Sequence, residues 1–89
     1  MNKQRRKEIW AIIRRLQNHE DVQDIIDDID MVYNEEYTYM ENIPENMQMG
    51  DKYYKAEEAC NHLECAMDCL RSDDYDIDVV CDYLSDAMM

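Results

Sequence analysis

The one proline and the one glycine of this chain, Pro44 and Gly50, stand close together near its middle. Tight turns depend on these residue types, so a fold with many strands is disfavoured in a chain of 89 residues. Pro44 disfavours helical backbone at Ile43, and Asp51 can cap a helix that begins after the glycine. We therefore predict one all-α domain, either a helical hairpin or a small bundle of two to four helices. Its helical segments are expected at about 3–41 and 52–88, with a joint at 42–51.

Apolar residues recur at every seventh position of the second segment. The row consists of Ala56, Leu63, Leu70, Ile77 and Leu84. It keeps its phase across 71–74, although Ser72 is a possible helix cap there. Phase continuity favours one helix and the cap favours two, and we expect a continuous or kinked helix.

Two apolar faces share the first segment. One consists of Ile9, Ile12, Ile13 and Leu16, and the other of Ile25, Ile26, Ile29, Val32 and Tyr33. On a helix with about 100° per residue, these faces differ by roughly 150°. Either the helix breaks at 18–21, or its two halves contact different neighbours.

A bare hairpin would leave much apolar surface in water, so we expect a homodimer. The residues predicted for the core or for a dimer contact are Ile9, Ile13, Leu16, Leu63, Leu70, Ile77 and Leu84. Trp10 is expected to be a core or dimer contact as well. Four tyrosines near the joint are expected to pack together and close the hairpin end: Tyr37, Tyr39, Tyr53 and Tyr54.

The net charge of −13 is unevenly distributed along the chain. Six of the nine Lys and Arg residues lie within 1–15, where Glu8 is the one acid. The basic stretch could be an arm for nucleic acid, or it could offset the acidic remainder of its own fold or of a second copy. We favour the second interpretation, because an acidic surface repels phosphate and disfavours direct nucleic-acid binding. No apolar run approaches the ~18 residues of a membrane span, so no membrane partner is expected.

The acids follow a helical spacing. Asp24 and Asp28 lie one turn apart, and Asp78, Asp82 and Asp86 continue the same spacing over two turns, in steps of ~6 Å. That distance is similar to the separation of phosphates along a nucleic-acid strand. Thirteen of the 22 acids are Asp, although Glu is the better helix former. The row could mimic nucleic acid, or it could be a solvated helix face. The residues predicted to contact a partner are Asp24, Asp27, Asp28, Asp30, Asp73, Asp74, Asp76, Asp78, Asp82, Asp86 and Tyr75.

Few residues suggest metal binding or catalysis. His62, Cys65 and Cys69 share one side of a helix and could form part of a zinc site, which would need a fourth ligand such as His19 or a carboxylate, but no CxxC pair exists. We expect reduced thiols, no metal and no cofactor. The chain has no Gly-rich phosphate loop and no nucleophile elbow, so we predict no catalytic residue and no enzyme.

Three stretches carry a family resemblance. They are the start at 1–9, the joint Asn42-Ile43-Pro44-Glu45-Asn46-Met47-Gln48, and 54–59 with Asn61, Leu63, Glu64 and Ala66. In these stretches the chain resembles a group of small acidic helical proteins from phages and prophages of Firmicutes. That group has a helical hairpin and no established general activity. The cysteines and the segment 71–78 depart from it.

The resemblance implies a phage origin and the cytoplasm of a bacterial host. In size and charge the chain is similar to anti-CRISPR and anti-restriction proteins that block DNA-binding clefts as DNA mimics. The expected function is non-enzymatic inhibition of a basic, nucleic-acid-binding host protein, such as a CRISPR effector of the Cas9 type. The alternative is a helical self-assembly or adaptor protein of a phage, and a metal-dependent helical module is a third hypothesis.

Overall fold

Four α-helices form the computed structural model, which describes residues 1–89. They are α1 (Lys3–Gln17), α2 (Val22–Glu41), α3 (Asp51–Arg71) and α4 (Ile77–Ala87), with a 3₁₀ turn at Glu45–Met47. The all-α prediction is confirmed, and the bundle holds four helices. None of these helices is both long enough and apolar enough to cross a membrane.

The helices close into a ring. Each helix packs on the next one in the chain, and α4 returns to pack on α1. Arg6 Nε donates a hydrogen bond to the Met88 carbonyl oxygen at 3.1 Å, so the start of α1 lies beside the end of α4. As a result α2 and α4 lie diagonally opposite each other, each between α1 and α3.

The first segment breaks at 18–21, which was one of the two alternatives. His19 adopts a left-handed φ of 56°, and the Asp21 carboxylate accepts hydrogen bonds from the backbone of Gln23 at 2.9 Å and of Asp24 at 3.3 Å. This cap starts α2 in a new direction. The chain reversal turns both apolar faces toward one core.

The second segment also breaks, so the expectation of a continuous or kinked helix over 52–88 is wrong. Ser72 ends α3 with an extended backbone (φ −77°, ψ 146°), and the Asp76 carboxylate accepts from the Asp78 backbone at 2.9 Å to start α4. Because α4 folds back on α3, Leu70 and Leu84 reach the core from two helices. The seven-residue row therefore continues without a continuous helix.

Fifteen buried apolar side chains from all four helices form the core. Six of the seven residues predicted for the core or a dimer contact are at most 4% exposed, and Ile77 packs against this core partly buried. The chain's own helices cover these side chains, so they do not offer a surface to a second copy. Trp10 is 51% exposed, so the core part of its prediction is wrong.

One ion pair is buried between α1 and α2. Arg5 Nε donates to Glu36 Oε2 at 2.7 Å, and the Glu36 side chain is fully buried. The amino group of Met1 lies 3.6 Å from Glu36 Oε1. The Arg5 guanidinium also lies over the Tyr39 ring, 5.6 Å from its centre. Part of the basic start therefore offsets an acid of its own fold, as expected.

Candidate protein-binding surfaces

The segment from Asp73 to Asp86 carries the densest group of free carboxylates. All six of its aspartates are exposed, and none has a Lys or Arg nitrogen within 4.0 Å. The nearest cation along the chain, Arg71, instead contacts Asp68 at 3.5 Å. No Lys or Arg follows Arg71 in the chain, so the segment has no cation of its own.

Helix α4 is amphipathic, with apolar residues on its buried side and acids on its solvent side. Val80, Leu84 and Ala87 are fully buried, so the opposite side of α4 faces solvent. That side carries Asp78, Asp82 and Asp86, here called the α4 carboxylate row. Its members rise by ~12 Å in two steps. Tyr75 lies just before α4, partly buried against the core, and exposes part of its ring beside this segment.

The acids of α2 that were predicted to contact a partner differ in whether they form an ion pair within the chain. Asp24, Asp27 and Asp30 are exposed and form no ion pair. Asp28 is half-buried and pairs with Arg15, whose Nε also lies 3.4 Å from Glu20. The hydrogen bond that Arg15 donates to Asp28 raises the pKa of the Arg15 guanidinium above its ordinary value. Asp28 is therefore less available to a partner than its three neighbours.

The structure does not bring the α2 and α4 acids together. The two helices lie at opposite corners of the bundle, and α1 and α3 separate them on either side. The sequence analysis predicted both sets as contacts of one partner, and the structure places them on two helices that are not neighbours. The two sets of acids therefore form separate acidic surfaces.

A basic stripe with an exposed aromatic ring lies on α1, and the sequence analysis did not identify it. Lys3, Lys7, Trp10 and Arg14 are all exposed and form what we call the α1 basic stripe. None of its three cations forms an ion pair within the chain. The signal in the sequence was their spacing of four, three and four residues, which keeps them on one side of a helix.

A wide groove lies at the hairpin end, between the end of α2 and the start of α3. It has a volume of about 670 Å³ and is lined by Tyr39, Pro44, Met47 and Met49, among other residues. The tyrosines do not close this end as expected, since Tyr37, Tyr39 and Tyr54 are 39–47% exposed. Tyr37 instead stacks on Tyr33, with ring centres 5.9 Å apart.

The four cysteines are free, and they differ in exposure. Cys65 is exposed, Cys69 and Cys81 are half-buried, and Cys60 is buried. Burial, reinforced by Glu36 and Glu64, raises the pKa of Cys60 to about 12. Burial and the nearby Asp78 and Asp82 raise the pKa of Cys81. Both thiols are therefore poor nucleophiles at neutral pH.

No three His, Cys, Asp or Glu side chains converge in a way that could hold a metal ion. His62, Cys65 and Cys69 therefore do not form such a group.

Comparison with known proteins gives no match to a family, to a curated protein or to a solved structure.

Proposed function

We propose that this chain is a phage-encoded, non-enzymatic inhibitor of a basic, nucleic-acid-binding host defence protein, namely a CRISPR effector of the Cas9 type. It acts as an acidic mimic that occupies a groove lined by Lys and Arg. One observation carries the proposal: the segment from Asp73 to Asp86 holds six exposed aspartates with no cation paired to any of them.

Unpaired carboxylates suit this role, because a partner's cations gain contacts without breaking an ion pair inside the chain. Asp also has a short side chain with few rotamers, so little conformational entropy is lost on binding. The α4 carboxylate row advances in steps of ~6 Å, similar to successive phosphates of a nucleic-acid strand. These features favour mimicry over a merely solvated helix face.

Affinity for the partner should fall as salt rises, because exposed charge pairs are screened. The partner is first captured from a bacterial host lysate on the immobilised chain and identified by mass spectrometry. Its affinity is then measured from roughly 50 to 500 mM salt, where the Debye length shrinks several-fold. An affinity that does not change over this range contradicts the mechanism, and recovery of the chain itself as the sole bound protein contradicts the proposed function.

Two matched triple variants locate the surface. The first changes the α4 carboxylate row to asparagine (Asp78→Asn, Asp82→Asn, Asp86→Asn), and the control changes Asp24, Asp27 and Asp30 in the same way. Three exposed pairs at ~0.2–1 kcal/mol each correspond to a loss of affinity of roughly 3- to 150-fold. We expect this loss for the α4 variant and little change for the control. The reverse result would place the partner on α2.

A further inference from the structure

The face formed by α1 and α4 exposes equal numbers of cations and acids in two neighbouring rows. The α1 basic stripe supplies three unpaired cations, and the α4 carboxylate row on the neighbouring helix supplies three unpaired acids. The α2 and α3 sides expose many more acids than cations, so two copies repel each other there. We propose that a second copy of this chain docks on the α1–α4 face. This dimer does not rest on the proposed inhibitory function.

The direction of the stripe on α1 follows from two contacts. Arg6 reaches α4 through its hydrogen bond to Met88, whereas Arg15 reaches α2 through Asp28. At about 100° per residue, the four stripe residues span an arc of about 60° between the direction of Arg6 and the solvent side of α1. The stripe therefore lies on the part of α1 that borders α4, and both rows face outward from the same side of the bundle.

A twofold axis parallel to the helices places α1 of each copy opposite α4 of the other. The contact between Arg6 and Met88 sets the two ends at one height, and α1 and α4 run in opposite directions from there. With a rise of ~1.5 Å per residue, Lys7 lies at ~2 Å and Arg14 at ~12 Å above that height. The backbone positions of Asp86, Asp82 and Asp78 lie at ~3, ~9 and ~15 Å on α4.

Rotation about such an axis preserves these heights. Lys7 then faces Asp86 of the second copy, and Arg14 faces the space between its Asp82 and Asp78. The same pairs form a second time by symmetry, which closes the assembly as a dimer. This register requires no change in the fold of either copy.

Trp10 supplies the apolar centre of this interface. Its height is ~6 Å, between those of Lys7 and Arg14. It therefore lies opposite the stretch from Asp82 to Asp86 of the second copy. The intervening Ser85 is small and leaves room for the indole ring. Trp10 is 51% exposed in one copy, and exposed tryptophans surrounded by charged residues are typical anchors of protein interfaces.

Charge reversal tests the pairing directly by sedimentation velocity on the full chain at tens of micromolar. One variant carries Lys7→Glu and Arg14→Glu, and the other carries Asp82→Lys and Asp86→Lys. Each should be monomeric alone, because both facing rows then have the same sign. A mixture of the two should form a heterodimer, because both of its contacts pair opposite charges. Lys55→Glu, at an exposed cation of α3, is the control and should dimerise like the original chain.

Helical circular dichroism on each variant establishes that the bundle is folded before the comparison is made. Trp10 fluorescence should shift to the blue as the concentration of the original chain rises, since dimerisation removes the ring from water. A monomeric original chain at these concentrations overturns the proposal. So does a dimer that survives both reversals, or a mixture of the two folded variants that stays monomeric.

Discussion

Replacing Arg5 with methionine should destabilise the bundle much more than replacing Arg5 and Glu36 together. In the native fold Arg5 Nε donates to Glu36 Oε2 at 2.7 Å, and Glu36 Oε1 is buried without a hydrogen bond. Arg5→Met removes the hydrogen-bonded cation of a fully buried carboxylate and leaves the more distant Met1 amino group, 3.6 Å from Oε1, as its remaining charged neighbour. The pair Arg5→Met and Glu36→Leu removes both charges and fills the space with apolar atoms.

Losing one partner of a buried ion pair costs about 3–5 kcal/mol, whereas exchanging both partners for apolar residues is often neutral or stabilising. We therefore expect the free energy of unfolding to fall by about 3–5 kcal/mol in the single variant and to return to within ~1 kcal/mol of the original in the double variant. For a domain of this size, the single variant should lose at least ~12 °C in Tm.

Urea denaturation followed by helical circular dichroism measures both variants, and an unchanged slope with urea shows that the extent of unfolding is the same. Lys3→Met is the matched control, because Lys3 is exposed on the same helix, and its effect should stay within ~0.5 kcal/mol. A double variant as unstable as the single one would refute the reasoning. The loss would then arise from the packing of the Arg5 side chain rather than from an unpaired carboxylate.

Four other predictions concern the cap, the titrating groups, the thiols and the carboxylate row. Asp76→Ala removes the cap of α4 and should cost ~1 kcal/mol in urea denaturation, and a change below ~0.3 kcal/mol would contradict the cap. Burial, with the hydrogen bond to Glu64, raises the pKa of Tyr33 to about 12, and burial raises that of Cys60 to about 12. Because the fold raises both pKa values, the stability that these two groups contribute is fully present below their unfolded pKa values of about 9 to 10 and is lost as pH rises toward 12. Denaturation midpoints should therefore fall over that pH range, and they should fall less in Tyr33→Phe. Cys65 is exposed and should react with a thiol reagent at pH 8 well before Cys60, as peptide mass spectrometry of the labelled chain would show. Since the proposed partner and the proposed second copy use the same α4 carboxylate row, saturating partner should dissociate the dimer in sedimentation, and a stable ternary assembly would contradict that shared use.

The sequence was sufficient for the helical class and for most of the core, because both depend on local patterns. Pro44 and Gly50 limit the number of turns, and the apolar spacing around Ile9 and Leu63 indicates which helix faces are buried. The second break was missed because 14 residues, two full heptads, separate Leu70 from Leu84. Apolar residues at this spacing fit the buried face of one continuous helix, and they fit equally well the buried faces of two helices that fold back on each other.

The candidate surfaces were harder to predict, since they depend on which helices become neighbours. The exposure of Asp78, Asp82 and Asp86 follows from helical periodicity. Their separation from Asp24 and Asp27 depends on the return of α4 to α1, which local sequence does not specify. Charged residues are rarely buried, so the pairing of Arg5 with Glu36 had no clear signal in the sequence either.

The diagonal placement of α2 and α4 makes their charges thermodynamically independent. Helices in direct contact lie 8–10 Å apart, so helices across the diagonal of a four-membered ring are separated by about 13 Å. Substitutions that far apart, with no shared partner, usually have additive effects. A double-mutant cycle between Asp27 and Asp82 should therefore give a coupling energy near zero for folding. Selection can thus alter the charge of either helix without disturbing the other, so each acidic helix of this small bundle can evolve separately.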